Sequence, residues 1–264
     1  MILGALLGAV VGIVMGLTGA GGGILAVPLL IFGMHFTVAD AGPISLLAVG
    51  ISAFVGTLIG LKAGIVRYRA ALLIASSGVI FSPLGIWLAR RIDTRLLGLL
   101  FAAVLAWVSY RTFKEIYHPS DESSSLKVDR PCIRDDMSGR FVWTSKCAGA
   151  LSIAGAIAGV LSGLLGVGGG FVMVPALQRY TDLATQSIVA TSLAVIALVS
   201  LTGVAASMSA GNFNVNVALP FATGSLVGIG VGSFLISHLS PKYLKLAFAL
   251  ICLVVAAGII AKSF

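Results

Sequence analysis

Two short stretches carry most of the chemistry this sequence offers: GLTGAGGG at Gly16–Gly23 and GLLGVGGG at Gly163–Gly170. Each is followed by a Val-Pro pair, Val27-Pro28 and Val174-Pro175. Glycine weakens a helix by about 1 kcal/mol per residue relative to alanine, so five within eight positions should interrupt one. Proline, with its helical φ and missing N–H, suits the first turn of a new helix. Each motif therefore predicts a helix, an unwound glycine turn, and a short second helix starting near Ile24–Pro28 or Phe171–Pro175. Such a turn aims backbone N–H groups and the positive end of a helix dipole at one point, which can bind an anion without a charged side chain. The candidate binding residues are Gly19, Gly21, Gly22, Gly23 and Pro28 with Gly166, Gly168, Gly169, Gly170 and Pro175. Ser45, Thr191 and Ser192, just inside the next apolar runs, could complete a cage. For these hydroxyls, a bond to the carbonyl one turn back is at least as good a reading.

Other chemistry is thin. Asp40 is a candidate proton-coupling carboxylate, but Asp before a helix is an ordinary N-cap and that role is favoured. His35, His118 and His238 are scattered and lack metal-ligand spacing. Cys132, Cys147 and Cys252 form no C-x-x-C pair and are odd in number, so buried or free thiols are expected. No Lys-Ser/Thr follows the glycines, and Ile24 occupies the last glycine position of a dinucleotide fingerprint, so neither nucleotide-loop pattern fits. An intramembrane enzyme would need a nucleophile–base pair or metal ligands within the spans, and none is visible. No cofactor or metal is expected.

The elements that must position these glycines are membrane helices. Of 264 residues, 58% are hydrophobic and 10% charged, with a mean hydropathy of +1.09. Soluble domains carry about a quarter charged residues. Apolar runs fall at roughly 1–34, 41–61, 70–89 and 96–113, then at 147–178, 183–206, 217–239 and 243–261. Several exceed the roughly 18 residues that mark a membrane span. The fold class is an all-α polytopic membrane protein. The N-terminal run has no basic n-region before it and reads as a retained helix. The net charge of +8 lies in loops between runs. It is read as contact with lipid headgroups and a positive-inside bias, with no nucleic-acid partner.

The two sets of four runs match without a gap at an offset of 147 residues: Gly8, Gly12 and Gly16 meet Gly155, Gly159 and Gly163, and Ser45-Leu46 meets Ser192-Leu193. Gly56, Gly85 and Phe101-Ala102 meet Gly203, Gly232 and Phe248-Ala249. This predicts two homologous halves, 1–113 and 147–264, joined by a polar linker at 114–146. The glycines spaced by four are read as helix-packing positions. Residues 1–34 as one helix would measure about 50 Å against a hydrocarbon core of about 30 Å, so the segment must break, tilt or turn back. A single crossing splits the 17 lysines and arginines eleven to six between the two sides, and a re-entrant one splits them thirteen to four. The second split fits the positive-inside rule better and gives an inverted repeat with a cytoplasmic linker; a parallel repeat is the alternative.

The paired halves, each opening with a glycine-rich turn and Val-Pro, resemble the TauE/SafE family of membrane permeases over nearly the whole chain apart from the linker. Thr191-Ser192-Leu193 fits the family's small-polar segment, whereas Ile44 stands where a matching threonine would precede Ser45. The resemblance implies a transporter of the cytoplasmic (inner) membrane exporting sulfite or an organosulfonate, with lipid and a small sulfur oxyanion as its partners. A membrane scaffold whose glycines only pack helices is the reading from another class.

Overall fold

The computed structural model describes residues 2–117, 132, 144–181, 183–209, 215–235 and 241–263. Most of the linker, His118, His238 and Asp182 lie outside the described residues. The first half is built from α1 (Ile2–Thr18), a 3-10 helix (Gly19–Leu25), α2 (Ala26–Met34), α3 (Val38–Lys62), α4 (Tyr68–Arg91) and α5 (Thr94–Tyr117). The second is built from α6 (Ser145–Leu165), α7 (Gly170–Tyr180), α8 (Thr185–Ser209), α9 (Val215–Leu235) and α10 (Pro241–Ser263). Among the described residues, α3, α4, α5, α6, α8 and α9 each contain a segment long and apolar enough to cross a membrane. Their outward faces are apolar: Ile80, Leu201, Val227 and Val254 are each more than two-thirds exposed. That surface suits lipid rather than water.

The halves interlock. α1 packs along α9, and α6 packs along α4, so each half lends its first helix to the other half's fourth. Both seams are made by glycine. A β-carbon on Gly8 or Gly12 would overlap the carbonyl of Phe221 or Ser225, and one on Gly155 or Gly159 would overlap that of Ile74 or Gly78. Small residues let two backbones touch, gaining van der Waals contact where lipid supplies no hydrophobic driving force. The four-residue glycine spacing thus does pack helices, and the backbone contacts of Gly8, Gly12 and Gly232 in one seam recur 147 positions away at Gly155, Gly159 and Gly85 in the other.

At the centre α3 packs on α8. Gly60 faces Ala190, Gly56 faces Leu193, Gly50 faces Ser200, and Leu46 faces Gly203. One series falls as the other rises, so these helices, which correspond under the offset, run antiparallel. α1 and α9 run parallel, because Ala5, Ala9 and Ile13 meet Gly224, Gly228 and Gly232 in the same order. α2 folds back along α1: Gly33 lies against Leu7, and Gly22 against Met15. Residues 2–34 are therefore a helical hairpin, which resolves the excess length.

Two local expectations need correction. Thr37, not Asp40, caps α3: the Thr37 hydroxyl accepts from the Asp40 N–H at 3.3 Å and donates to its carboxylate at 2.7 Å. Asp40 sits three residues inside, exposed, as the reciprocal partner of that cap. Cys132 and Cys147 are not separate thiols but a disulfide, leaving Cys252 buried and free. The end of α7 holds Cys132 in place for this pairing. Cys132 donates its N–H to Tyr180 O at 3.3 Å and bridges to Thr181 at the end of α7. The same position lies beside the first turn of α6, where Thr144 caps the Cys147 N–H.

Candidate functional site

The second glycine motif forms the turn that its composition predicts. α6 stops at Leu165, and Gly166 takes a left-handed conformation with φ 71°, donating its N–H to Ser162 O at 2.9 Å. Gly168 and Gly169 follow at φ 77° and 69°, a region that L side chains avoid. α7 begins at Gly170, and its first internal bonds run from the Val172 and Met173 N–H groups to Gly169 O, at 3.1 and 3.2 Å. The N–H groups of the turn itself precede that ladder, as at any helix start. Residues 164–170 are all buried.

The first motif differs. Gly19–Leu25 winds as a 3-10 helix instead of unwinding, and neither Gly22 nor Gly23 has a positive φ. Gly22 instead lies on the backbone of Met15, where a β-carbon would strike the Met15 Cα and N atoms. Tight packing of the hairpin selects a compact 3-10 path over a left-handed one. The prolines also part ways. Pro28 is buried in the first turn of α2, as predicted. Pro175 lies in the second turn of α7, later than the first-turn placement expected of it.

The two motifs, far apart in sequence, meet on α3. A β-carbon on Gly23 would lie 3.0 Å from Val49 Cγ1 and 3.2 Å from Val167 O, and one on Gly168 would lie 3.2 Å from the same Val49 atom. Ser45, one turn before Val49 on α3, joins the halves. Its hydroxyl donates to Gly42 O at 2.8 Å and also contacts Gly166 O in the second turn. Thr191 and Ser192 do not join this cluster. Ser192 donates to Ile188 O on its own helix at 2.8 Å. Thr191 accepts the Arg67 N–H at 3.1 Å, near the start of α4. Arg67 Nε is buried there without a hydrogen-bond partner.

Three serines absent from the sequence-based set stand out. Ser82, Ser162 and Ser200 are almost fully buried, and their hydroxyls have no hydrogen-bond partner. Ser200 faces the second turn, 3.3 Å from where a Gly168 β-carbon would stand. Ser162 lies in the last turn of α6 leading into it. Ser82 is on α4 with its backbone against Gly163. A signal existed in the sequence: at the 147-residue offset these positions face Ala53, Met15 and Ile229, so the hydroxyls belong to one motif only. Among the described residues no group of three His, Cys, Asp or Glu side chains is placed to hold a metal ion. The polar chemistry at the turns is that of amides and hydroxyls.

A family model described as sulfite exporter TauE/SafE matches residues 4–259. A "probable membrane transporter protein" of Xylella fastidiosa (strain Temecula1) is 30% identical over 94% of this chain and 90% of its own length. The "probable membrane transporter protein YunE" of Bacillus subtilis is 24% identical over 92% of this chain and 91% of its own. A similarly named protein of Methanocaldococcus jannaschii is 27% identical over 87% of this chain and 84% of its own. No solved structure matches.

Proposed function

Because the chain belongs to the TauE/SafE family, and so is a membrane transporter and not an enzyme, we propose that it exports a small anion, sulfite or an organosulfonate, across the cytoplasmic membrane. The observation that carries this reading is the meeting of the two glycine motifs on Val49, with Ser45 bonded across to the second turn. Broken helices at corresponding positions of two repeats mark a transporter's substrate site. Here the second break supplies N–H donors in a buried setting, where each hydrogen bond to a charged ligand is strong.

The proposed repeat is inverted, with halves at 1–113 and 147–264. It is supported by the antiparallel run of α3 and α8. Export proceeds by alternating access, one half rocking against the other around the paired turns. An inside-negative potential contributes about 2.3 kcal/mol per 100 mV to the exit of a monoanion, so no buried proton relay is needed. The thirteen-to-four charge split favours a cytoplasmic linker. The Cys132–Cys147 pair pulls the other way, since disulfides belong to oxidising compartments. The charge count draws on every loop and is the basis of the cytoplasmic placement.

Counterflow of radiolabelled sulfite in proteoliposomes tests the proposal, with sulfoacetate, taurine, sulfate, thiosulfate and a neutral solute as competitors. Saturable exchange competed by sulfur oxyanions is the expected result. Folded protein that exchanges none of these anions would withdraw the substrate class.

A further inference from the structure

We infer that the transported anion binds at one glycine turn only, the second, and that Ser200 and Ser162 donate hydroxyl hydrogen bonds to it. This rests on the transporter reading above and names the residues that would make its site.

The two turns correspond in sequence but not in what surrounds them. At the second turn, three glycines with positive φ lead into α7, an eleven-residue helix. Successive N–H groups in such turns form a concavity for anions, reinforced by the helix dipole. A buried hydroxyl without a partner costs about 1–3 kcal/mol, which protein interiors seldom tolerate without cause. Ser200, wholly buried on α8, carries that penalty while facing Gly168. Ser162 carries it one turn before Gly166. A bound oxyanion would satisfy both hydroxyls together with the N–H groups of the turn beyond Gly166, whose own N–H is bonded to Ser162 O. At the first turn the equivalent residues are Ala53 and Met15, which offer no donor, and the backbone is closed into a 3-10 helix.

The surroundings also limit the ligand. A β-carbon on Gly168 would lie 3.0 Å from Ile196 Cγ2 and 3.2 Å from Val49 Cγ1, so apolar walls stand beside the donors. That side of Gly168 is filled, so the anion lies on the N–H side of the turn and is a compact group with several oxygens and a negative charge. Sulfite and a sulfonate head group share this chemistry, each with three oxygens on sulfur.

The test measures sulfite binding to the purified full chain by thermal shift and equilibrium titration, and sulfite counterflow in parallel, for wild type, Ser200→Ala, Ser162→Ala and Ala53→Ser. Each serine variant should weaken sulfite binding by roughly ten-fold or more, the loss expected for one hydrogen bond to a charged group. Without anion each should melt no lower than wild type, because an unsatisfied buried group has been removed. Ala53→Ser should bind sulfite as wild type does. Methanesulfonate and sulfoacetate as probes separate the two sources: a site for the free anion alone rejects both, and a sulfonate site accepts them with the same dependence on Ser200. Wild-type flux with affinities within two-fold in both serine variants would overturn the inference and leave transport standing. Binding that depends on Ser200 without any flux would sustain the site and overturn transport. Neither binding nor flux would overturn both.

Discussion

The two glycine turns have nearly the same sequence and different structures. At Gly166–Gly169 three glycines reach left-handed φ values, and at Gly22–Gly23 none is used. The neighbours decide this. Gly22 is pressed onto the Met15 backbone, whereas Gly166 is held by Gly42 and by the Ser45 hydroxyl from the other half. The seams remote from the turns show the opposite behaviour, since the glycine contacts of α1 on α9 are repeated by α6 on α4. The scaffold keeps its correspondence where backbone touches backbone. It departs from it where an unpaired donor would serve one side only.

The strongest way to break this comparison is to fill the seams. Gly12→Leu and Gly159→Leu each place a side chain on a partner backbone that cannot retreat. Both should lose the folded state, with costs beyond about 4–5 kcal/mol, seen as an absent monodisperse peak in detergent. A tolerated leucine in one seam but not the other would end the claim that they correspond. At the turns the expected effects are smaller and unequal. Gly168→Ala should cost about 2 kcal/mol, because φ strain of about 1–2 kcal/mol adds to crowding by Ile196. Gly23→Ala meets crowding alone, from Val49 and Val167, and should cost about 1 kcal/mol or less by thermal melt. Equal losses would mean that the conformations of the turns do not differ. The smallest contrast is between the hydroxyls. Ser45→Ala removes a bond across the halves and should cost about 1 kcal/mol, while Ser192→Ala removes one within its own helix and should fall near zero. A larger loss at Ser192 would reverse their assigned roles.

Much of this was legible in residue types. Apart from 147–178, which holds α6, the second turn and most of α7, the apolar runs from 41–61 through 243–261 match single helices to within a few residues, because spanning lipid fixes both length and composition. The glycines at 8, 12, 155 and 159 announced close packing by their spacing, though which helix they would meet was not readable from them. The first turn was misread because glycine permits a left-handed path without requiring one; Met15 made the choice. The disulfide was missed because two cysteines fifteen residues apart carry no motif, and their meeting depends on the end of α7, which holds Cys132. Ser162 and Ser200 escaped notice because a serine inside an apolar run usually bonds its own helix, and a vacant hydroxyl shows only in three dimensions.

The interlocked seams also set an order of assembly. α6 begins roughly 50 residues after α4 ends, so that seam can form early. α1 must wait for α9, which begins roughly 200 residues later. At ribosomal rates of about 5–20 residues per second, this leaves the first helix in the bilayer for on the order of ten to forty seconds without its partner. α9 thus completes the packing of α1, and a chain stopped before α9 would lack the helix on which the α1 glycines close.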